Sequence, residues 1–241
     1  MPKAIEINNF SYKYPDGTAA LSEITLNIEH NQKVALLGPN GAGKSTLLLA
    51  MAGFVKGTGK VLIDGLEINR KNLKKIRTCI GCCLENPDDQ LFMPTLFDDV
   101  AFGPLNMGMS PKQVKKRVAN ALETVGLSEM ADKAPHHLSA GQKRAAAIAT
   151  ILSMSPKIIT LDEPDSSLDP RNRNNLIKLL KDLPQTLIIA TCNMNFAAAL
   201  AERAVLLDKG RIVADGDAKK IMADSELMTE HGLEVPSKIK G

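Results

Sequence analysis

The chain has 241 residues, 44% hydrophobic and 24% charged, which bounds it to one large or two small ordinary globular domains. With 3% aromatic residues, no Trp and a net charge of +3, it lacks the base-stacking surface and the strong positive field of a nucleic-acid binder, so no nucleic-acid partner is expected. The opening Met1-Pro2-Lys3-Ala4-Ile5-Glu6 has no apolar core of a secretory signal, and no run approaches the ~18 apolar residues of a membrane span. A cytosolic chain, or one attached to a membrane through partners, is therefore expected, with its four cysteines reduced.

In chain order, Ile5 and Ile7, then Ile24, Leu26 and Ile28, alternate with polar neighbours as half-buried strands do, around a turn at Tyr14-Pro15-Asp16-Gly17. Val34 to Leu37 is an unbroken apolar run, the pattern of a strand buried on both faces. A Gly-rich loop follows, then a helix carrying Leu47, Leu48, Ala50 and Met51. Val61-Leu62-Ile63 is predicted as a strand, and so is Ile76 to Leu84, in which Cys79, Cys82 and Cys83 act as small hydrophobes. A zinc site there would need a fourth ligand at a suitable spacing, and none is evident.

Pro111 to Val125 reads as an amphipathic helix capped by Ser110, with Val114, Val118, Ala121, Leu122 and Val125 on its inner face. Lys112, Lys115, Lys116 and Arg117 crowd the other side, as a solvated face or a docking surface for an acidic partner or lipid. Beyond Leu138, Ile158 to Leu161 and Leu187 to Ala190 are predicted as buried strands and Arg171 to Lys181 as a helix. Val205–Leu207 and Arg211–Val213 are predicted to form a hairpin across Asp208-Lys209-Gly210. Strands alternating with helices argue a mainly parallel α/β sheet, with a helical insert at roughly 90 to 138 and a loosely ordered polar tail after about 225.

Three stretches carry chemistry. Gly38-Pro39-Asn40-Gly41-Ala42-Gly43-Lys44-Ser45-Thr46 fits the phosphate-cradling pattern G-x-x-x-x-G-K-[ST] between a buried strand and a helix. Its glycines let backbone N–H groups turn onto phosphates, Lys44 reaches the terminal ones, and Ser45 offers a hydroxyl to Mg²⁺. Lys157 to Pro164 is an apolar strand ending in Asp162-Glu163. It sets two carboxylates at the sheet edge where ligands of α/β folds bind, Asp162 suited to Mg²⁺ and Glu163 to polarising an attacking water. In Leu138-Ser139-Ala140-Gly141-Gln142, Ser139 and Gln142 form a capping-box pair: either a well-capped helix alone or a helix start aimed at a phosphate.

Together these stretches resemble the ATP-binding subunit of the ABC family over about residues 3 to 222. The resemblance implies a P-loop (RecA-like) α/β fold with an antiparallel β edge, a core of about 1–88 and 139–225, and a helical subdomain of about 89–138. It implies ATP and Mg²⁺ as ligands and a head-to-tail dimer in which Ser139, Gly141 and Gln142 face the ATP of the opposite subunit. Tyr14 takes the position that stacks on adenine, and Ser167-Leu168-Asp169 the loop linking the two sites. Asn86-Pro87-Asp88-Asp89-Gln90-Leu91-Phe92 and Ala101-Phe102-Gly103-Pro104 resemble the energy-coupling-factor and cobalt/nickel importer branch, whose ATPases drive small membrane complexes from the cytoplasmic face. Without the longer C-terminal extension of many vitamin-type members, the chain is expected to serve cobalt or nickel before a vitamin.

Three positions depart from that family's pattern. Ala140 replaces Gly, harmless in a helical first turn unless the backbone needs φ > 0. Glu85 replaces the Gln that touches Mg²⁺; a carboxylate can still ligate the ion but adds negative charge. Cys192, in Thr191-Cys192-Asn193, replaces the His that donates to the γ-phosphate, and a thiol is a weak donor. A subunit that binds ATP normally but hydrolyses it slowly follows, as a homodimer or beside a second, fully active ATPase. The alternatives are a regulatory ATP-binding subunit and a non-transport ABC ATPase of DNA repair or translation. Against the latter, no long coiled coil fits between Thr46 and Ser139, and the chain carries one cassette.

Overall fold

In the computed structural model, which describes residues 2–236, the predicted strands at the start of the chain become an antiparallel sheet. β1 (Ile5–Lys13) pairs with β2 (Ala19–Ile28) and β4 (Thr58–Ile63), and β4 pairs with the short β5 (Leu66–Glu67), in the order β2-β1-β4-β5. The second sheet holds β3 (Lys33–Leu37), β6 (Ile80–Cys83), β7 (Ile158–Asp162), β8 (Thr186–Ala190), β9 (Arg203–Asp208) and β10 (Arg211–Asp217) in the order β10-β9-β3-β8-β7-β6. Within it β3 is parallel to β8 and β9, β7 is parallel to β8, and β10 returns antiparallel on β9.

β3 shows why the run Val34 to Leu37 is apolar throughout. Val34 and Leu36 join a core with α1 (Lys44–Met51) and the inner faces of β1 and β2. Ala35 and Leu37 face a second core with Met194 and Ala197 of α7 (Met194–Leu200), Ile221 and Met222 of α8 (Ala218–Ala223), and Met228 of α9 (Ser225–Glu230). α1 touches β2 and β4 of the first sheet and β7 and β8 of the second, so it is covered by both.

Contacts divide the described residues into two units: 2–82, 157–163 and 184–236 in the first, 83–156 and 164–183 in the second. The second unit packs α3 (Leu96–Asn106), α4 (Pro111–Thr124) and α5 (Ala140–Leu152) around Leu96, Val100, Val118, Leu122 and Ala146, and also includes α6 (Pro170–Asp182). The helical insert is thus part of a larger unit than residues 89–138.

Two sequence expectations are corrected. Residues Ile76 to Cys79 are not strand but the end of α2 (Leu73–Cys79); the strand begins at Ile80. Asn69 Oδ1 accepts from the N–H groups of Lys71 and Asn72 and nucleates the turn, so that Ile76 is buried as a helical, not an alternating, position. The chain after 225 is also ordered through Pro236, because the Asp224 carboxylate caps α9 and Met228 is fully buried. Only residues 237–241 of that tail lie outside the described residues.

Candidate functional site

The loop between β3 and α1 has three residues in the left-handed half of φ space, Gly38 (φ 151°), Gly41 (79°) and Gly43 (103°). A Cβ at Gly38 would lie 2.2 Å from the Leu207 carbonyl oxygen and one at Gly43 2.7 Å from that of Ala20, so close approach as well as backbone shape demands glycine. At Gly41 a Cβ would meet nothing within 4 Å, which leaves the rim of the loop open. α1 starts at Lys44 with no side-chain cap, so its first N–H groups are not spent on a capping side chain.

Lys44, 6% exposed, donates from Nζ to the carbonyls of Gly38 (2.8 Å) and Pro39 (3.2 Å) and lies 3.3 Å from Glu163 Oε1. The other Glu163 oxygen accepts from the Cys192 backbone N–H at 3.1 Å. Glu163 sits at φ 40°, one residue past β7, and its N–H donates to Ala190 at the end of β8. Local backbone strain thereby turns the carboxylate towards the loop. Asp162, the last residue of β7, is buried, and Ser45 is exposed in the first turn of α1.

The Tyr14 hydroxyl shares a 2.7 Å hydrogen bond with Thr46 Oγ1, and its ring rests edge-on against Tyr12 with 5.3 Å between centroids. The ring is 41% exposed, leaving a face for a planar ligand. Cys192 is exposed.

In the second unit the capping box forms as predicted: the Ser139 N–H donates to Gln142 Oε1 (2.9 Å) and the Gln142 N–H to Ser139 Oγ (3.3 Å). Ser139 and Ala140 are exposed at the start of α5. Ala140 lies inside the helix and is not among the residues of positive φ, so its replacement of Gly carries no backbone strain. A Cβ on Gly141 would lie 2.6 Å from Asn172 Cγ, so α5 and α6 meet through this glycine. Asn172 in turn is held by Asp169, which caps α6.

Arg144 was not singled out from sequence, yet it is 3% exposed and ties three segments together. It donates to the carbonyls of Leu84 (2.8 Å) and Glu85 (2.6 Å) and to Ser166 Oγ (3.3 Å). The available signal was its place between Gly141 and Ile148 on the apolar stripe of α5. The Glu85 side chain is exposed, and the main chain beside it is fixed by this guanidinium.

A glycine loop feeding an uncapped helix at the carboxyl edge of a parallel sheet, with lysine and glutamate facing each other across it, defines a P-loop nucleoside triphosphatase. Residues 21–166 match the ABC transporter domain family. The energy-coupling factor transporter ATP-binding protein EcfA of Methanosphaera stadtmanae is 46% identical, covering 98% of this chain and 87% of that protein. Among solved structures, CbiO1 of Clostridium perfringens, part of the ABC transporter complex CbiONQ, is similar at TM-score 0.85 and 36% identity, over 99% of this chain and 98% of that one. A dimeric ATP-binding cassette in a post-hydrolysis state with ADP and phosphate has TM-score 0.78 and 30% identity, over 89% of this chain and 98% of that one.

The chain belongs to the ATP-binding subunits of ABC transporters, and its fold is that of the ABC ATPase. Among the described residues no helix is long and apolar enough to cross a membrane.

Proposed function

We propose that this ATPase drives inward transport, on the cytoplasmic face of a membrane, as the motor of an energy-coupling-factor type importer for cobalt or nickel ions or for a vitamin. Lys44 held between its own loop carbonyls and Glu163 carries the catalytic part of this reading. Incoming phosphate oxygens compete for the Lys44 ammonium, which releases Glu163 Oε1 to accept a proton from the attacking water while the Cys192 N–H keeps Oε2 in place. Backbone N–H groups of residues 38–46 bind the phosphates, and Tyr14 takes the adenine on its open face. The likeness to EcfA and CbiO1 supports the transport branch.

Mg²⁺ fits the donor set, since a hydroxyl at Ser45 and a carboxylate at Asp162 are the hard oxygen ligands it prefers. Bound there, it would neutralise phosphate charge; Glu85 is proposed as a further ligand on the resemblance alone. Ser139, Gly141 and Gln142 complete the ATP site of a partner, a second copy or another ABC ATPase, as the dimeric relative supports. Exposed Phe92, Phe102 and Leu105, with the two rings edge-on at 5.2 Å, offer the second unit an apolar surface for membrane-embedded subunits.

Uptake of labelled cobalt, nickel and vitamins by cells carrying Lys44→Ala in place of the native chain tests the function. Loss of one cargo with the others unchanged is expected; unchanged uptake of all of them refutes the reading. A slow subunit beside an active ATPase is the second reading, favoured by the exposed thiol at Cys192.

A further inference from the structure

Positive charge is not spread evenly along this chain. Between Phe54 and Cys79 there are seven Lys or Arg residues against two carboxylates, Asp64 and Glu67, so this stretch is +5 and the rest of the chain sums to −2. Asp64 is already engaged, by Lys157 at 2.5 Å and His30 at 3.2 Å.

The structure gathers five of those cations on one short element. Arg70, Lys71, Lys74, Lys75 and Arg77, on α2 and the turn leading into it, are all exposed, while Ile76 faces the core. Packing fixes α2 in place. Leu73 Cδ2 lies where a Cβ on Gly53 would be 2.8 Å away, and Asn72 Nδ2 donates to the Glu67 carbonyl at 2.9 Å. Beside Gly53, the Phe54 ring stands 61% exposed with the Arg77 guanidinium 5.8 Å from its centroid. Basic side chains around one protruding aromatic ring are the composition of a membrane-interface contact.

We propose that α2 and Phe54 form a contact surface for anionic lipid headgroups, laid against the bilayer in which the transporter works. The transport reading enters only by placing a membrane nearby. Three of the five cations are lysines, mobile point charges on flexible stems, with no salt bridge to a carboxylate among the described residues. Such groups match a diffuse, fluid array of phosphates better than the fixed carboxylates of a protein groove, where arginine forks are favoured. Phe54 adds a shallow apolar anchor at headgroup depth.

The test is co-sedimentation of the full chain with vesicles of phosphatidylcholine alone or with about a third phosphatidylglycerol, at low and near-physiological salt. Expected is binding to the anionic vesicles only, weakened by salt. Replacing Lys71, Lys74, Lys75 and Arg77 by Gln together should weaken it by roughly 600-fold, from about fivefold per charge. Phe54→Ser should weaken it about tenfold, because a lost aromatic contact of this kind is smaller than the summed charges. ATP hydrolysis in solution should stay unchanged in both, which separates this surface from the catalytic reading and reports folding.

An equal loss on replacing Lys112, Lys115, Lys116 and Arg117 of α4 by Gln would overturn the proposal, because net charge alone would then explain binding. So would wild-type vesicle binding by the α2 variant, including the case in which that variant fails to assemble with membrane subunits, which would mark an acidic protein as the occupant.

Discussion

Replacing Cys192 by His tests the hydrogen-bond donor proposed for this position at the reacting phosphate. The position already serves Glu163 through its main chain, the N–H donating to Oε2 at 3.1 Å, and the Lys44 contact to Oε1 at 3.3 Å involves neither side chain. Both survive the substitution, and the side chain points from an exposed position, so an imidazole needs no core space. What changes is a weak thiol donor for a strong ring N–H. A single well-placed donor to a transition state is worth about 10²–10³ in rate, or about 3–4 kcal/mol. Single-turnover hydrolysis, with protein in excess over ATP, should therefore accelerate by up to that factor in Cys192→His, with ATP affinity changed much less. Multiple-turnover rates alone would not do, since product release can mask the chemical step. Equal single-turnover rates in the two proteins would refute the argument that Cys192 limits hydrolysis.

Glu163→Gln should lower hydrolysis by about 10²–10⁴ while retaining ATP binding. It should also accumulate an ATP-bound dimer in sedimentation, and near-native turnover would remove Glu163 from its proposed role. Gly141→Ala should lower the melting temperature by an amount corresponding to about 1–3 kcal/mol, because the new Cβ meets Asn172 at 2.6 Å. Asn172→Ala in the same chain should recover part of that loss, and no recovery would place the strain elsewhere.

Asp99 is buried with one oxygen accepting from the N–H groups of Phe92 and Met93, and burial raises its pKa above the ordinary aspartate value. A raised carboxylate stabilises the fold when protonated, below its unfolded pKa, and that contribution is lost as pH rises through the folded one. An Asn can accept the same two bonds without charge. Asp99→Asn should thus be as stable as the native chain or more so at pH 7, with the difference shrinking towards pH 4. Thermal melts that show the opposite trend would contradict this.

The phosphate loop and the strand before Asp162 were legible because their chemistry is local. Glycines, lysine and hydroxyl stand in fixed spacing, and a short, mostly apolar run such as Ile158 to Leu161 has few other uses in an α/β chain. The Ser139–Gln142 box was legible for the same reason, being closed within one helical turn. The stretch from Ile76 to Cys79 was misread because a short apolar run has no period of its own; the decisive bonds come from Asn69, seven residues earlier. The ordering of the chain after 225 depends on Met228 entering a core made by β3 and α7, which polarity along the segment does not reveal. At the site, the sequence presents Cys192 through its thiol, whereas the bond to Glu163 is made by the backbone. Main-chain donors are present at every residue, so only the fold says which one is used.

β3 carries a consequence for how the protein is made. Leu36, at the end of β3, pairs with Ala190 on one side and Val205 on the other, and the loop beyond it is braced by Gly210, whose N–H donates to the Ala42 carbonyl. All of those partners are synthesised long after the glycines themselves. On a ribosome adding about 5–20 residues per second, the nascent loop must wait for roughly 8–34 seconds, with its strand unpaired, before its neighbours emerge. Nucleotide capture by this chain is therefore a late event of folding, and a high contact order is built into the element that binds ATP.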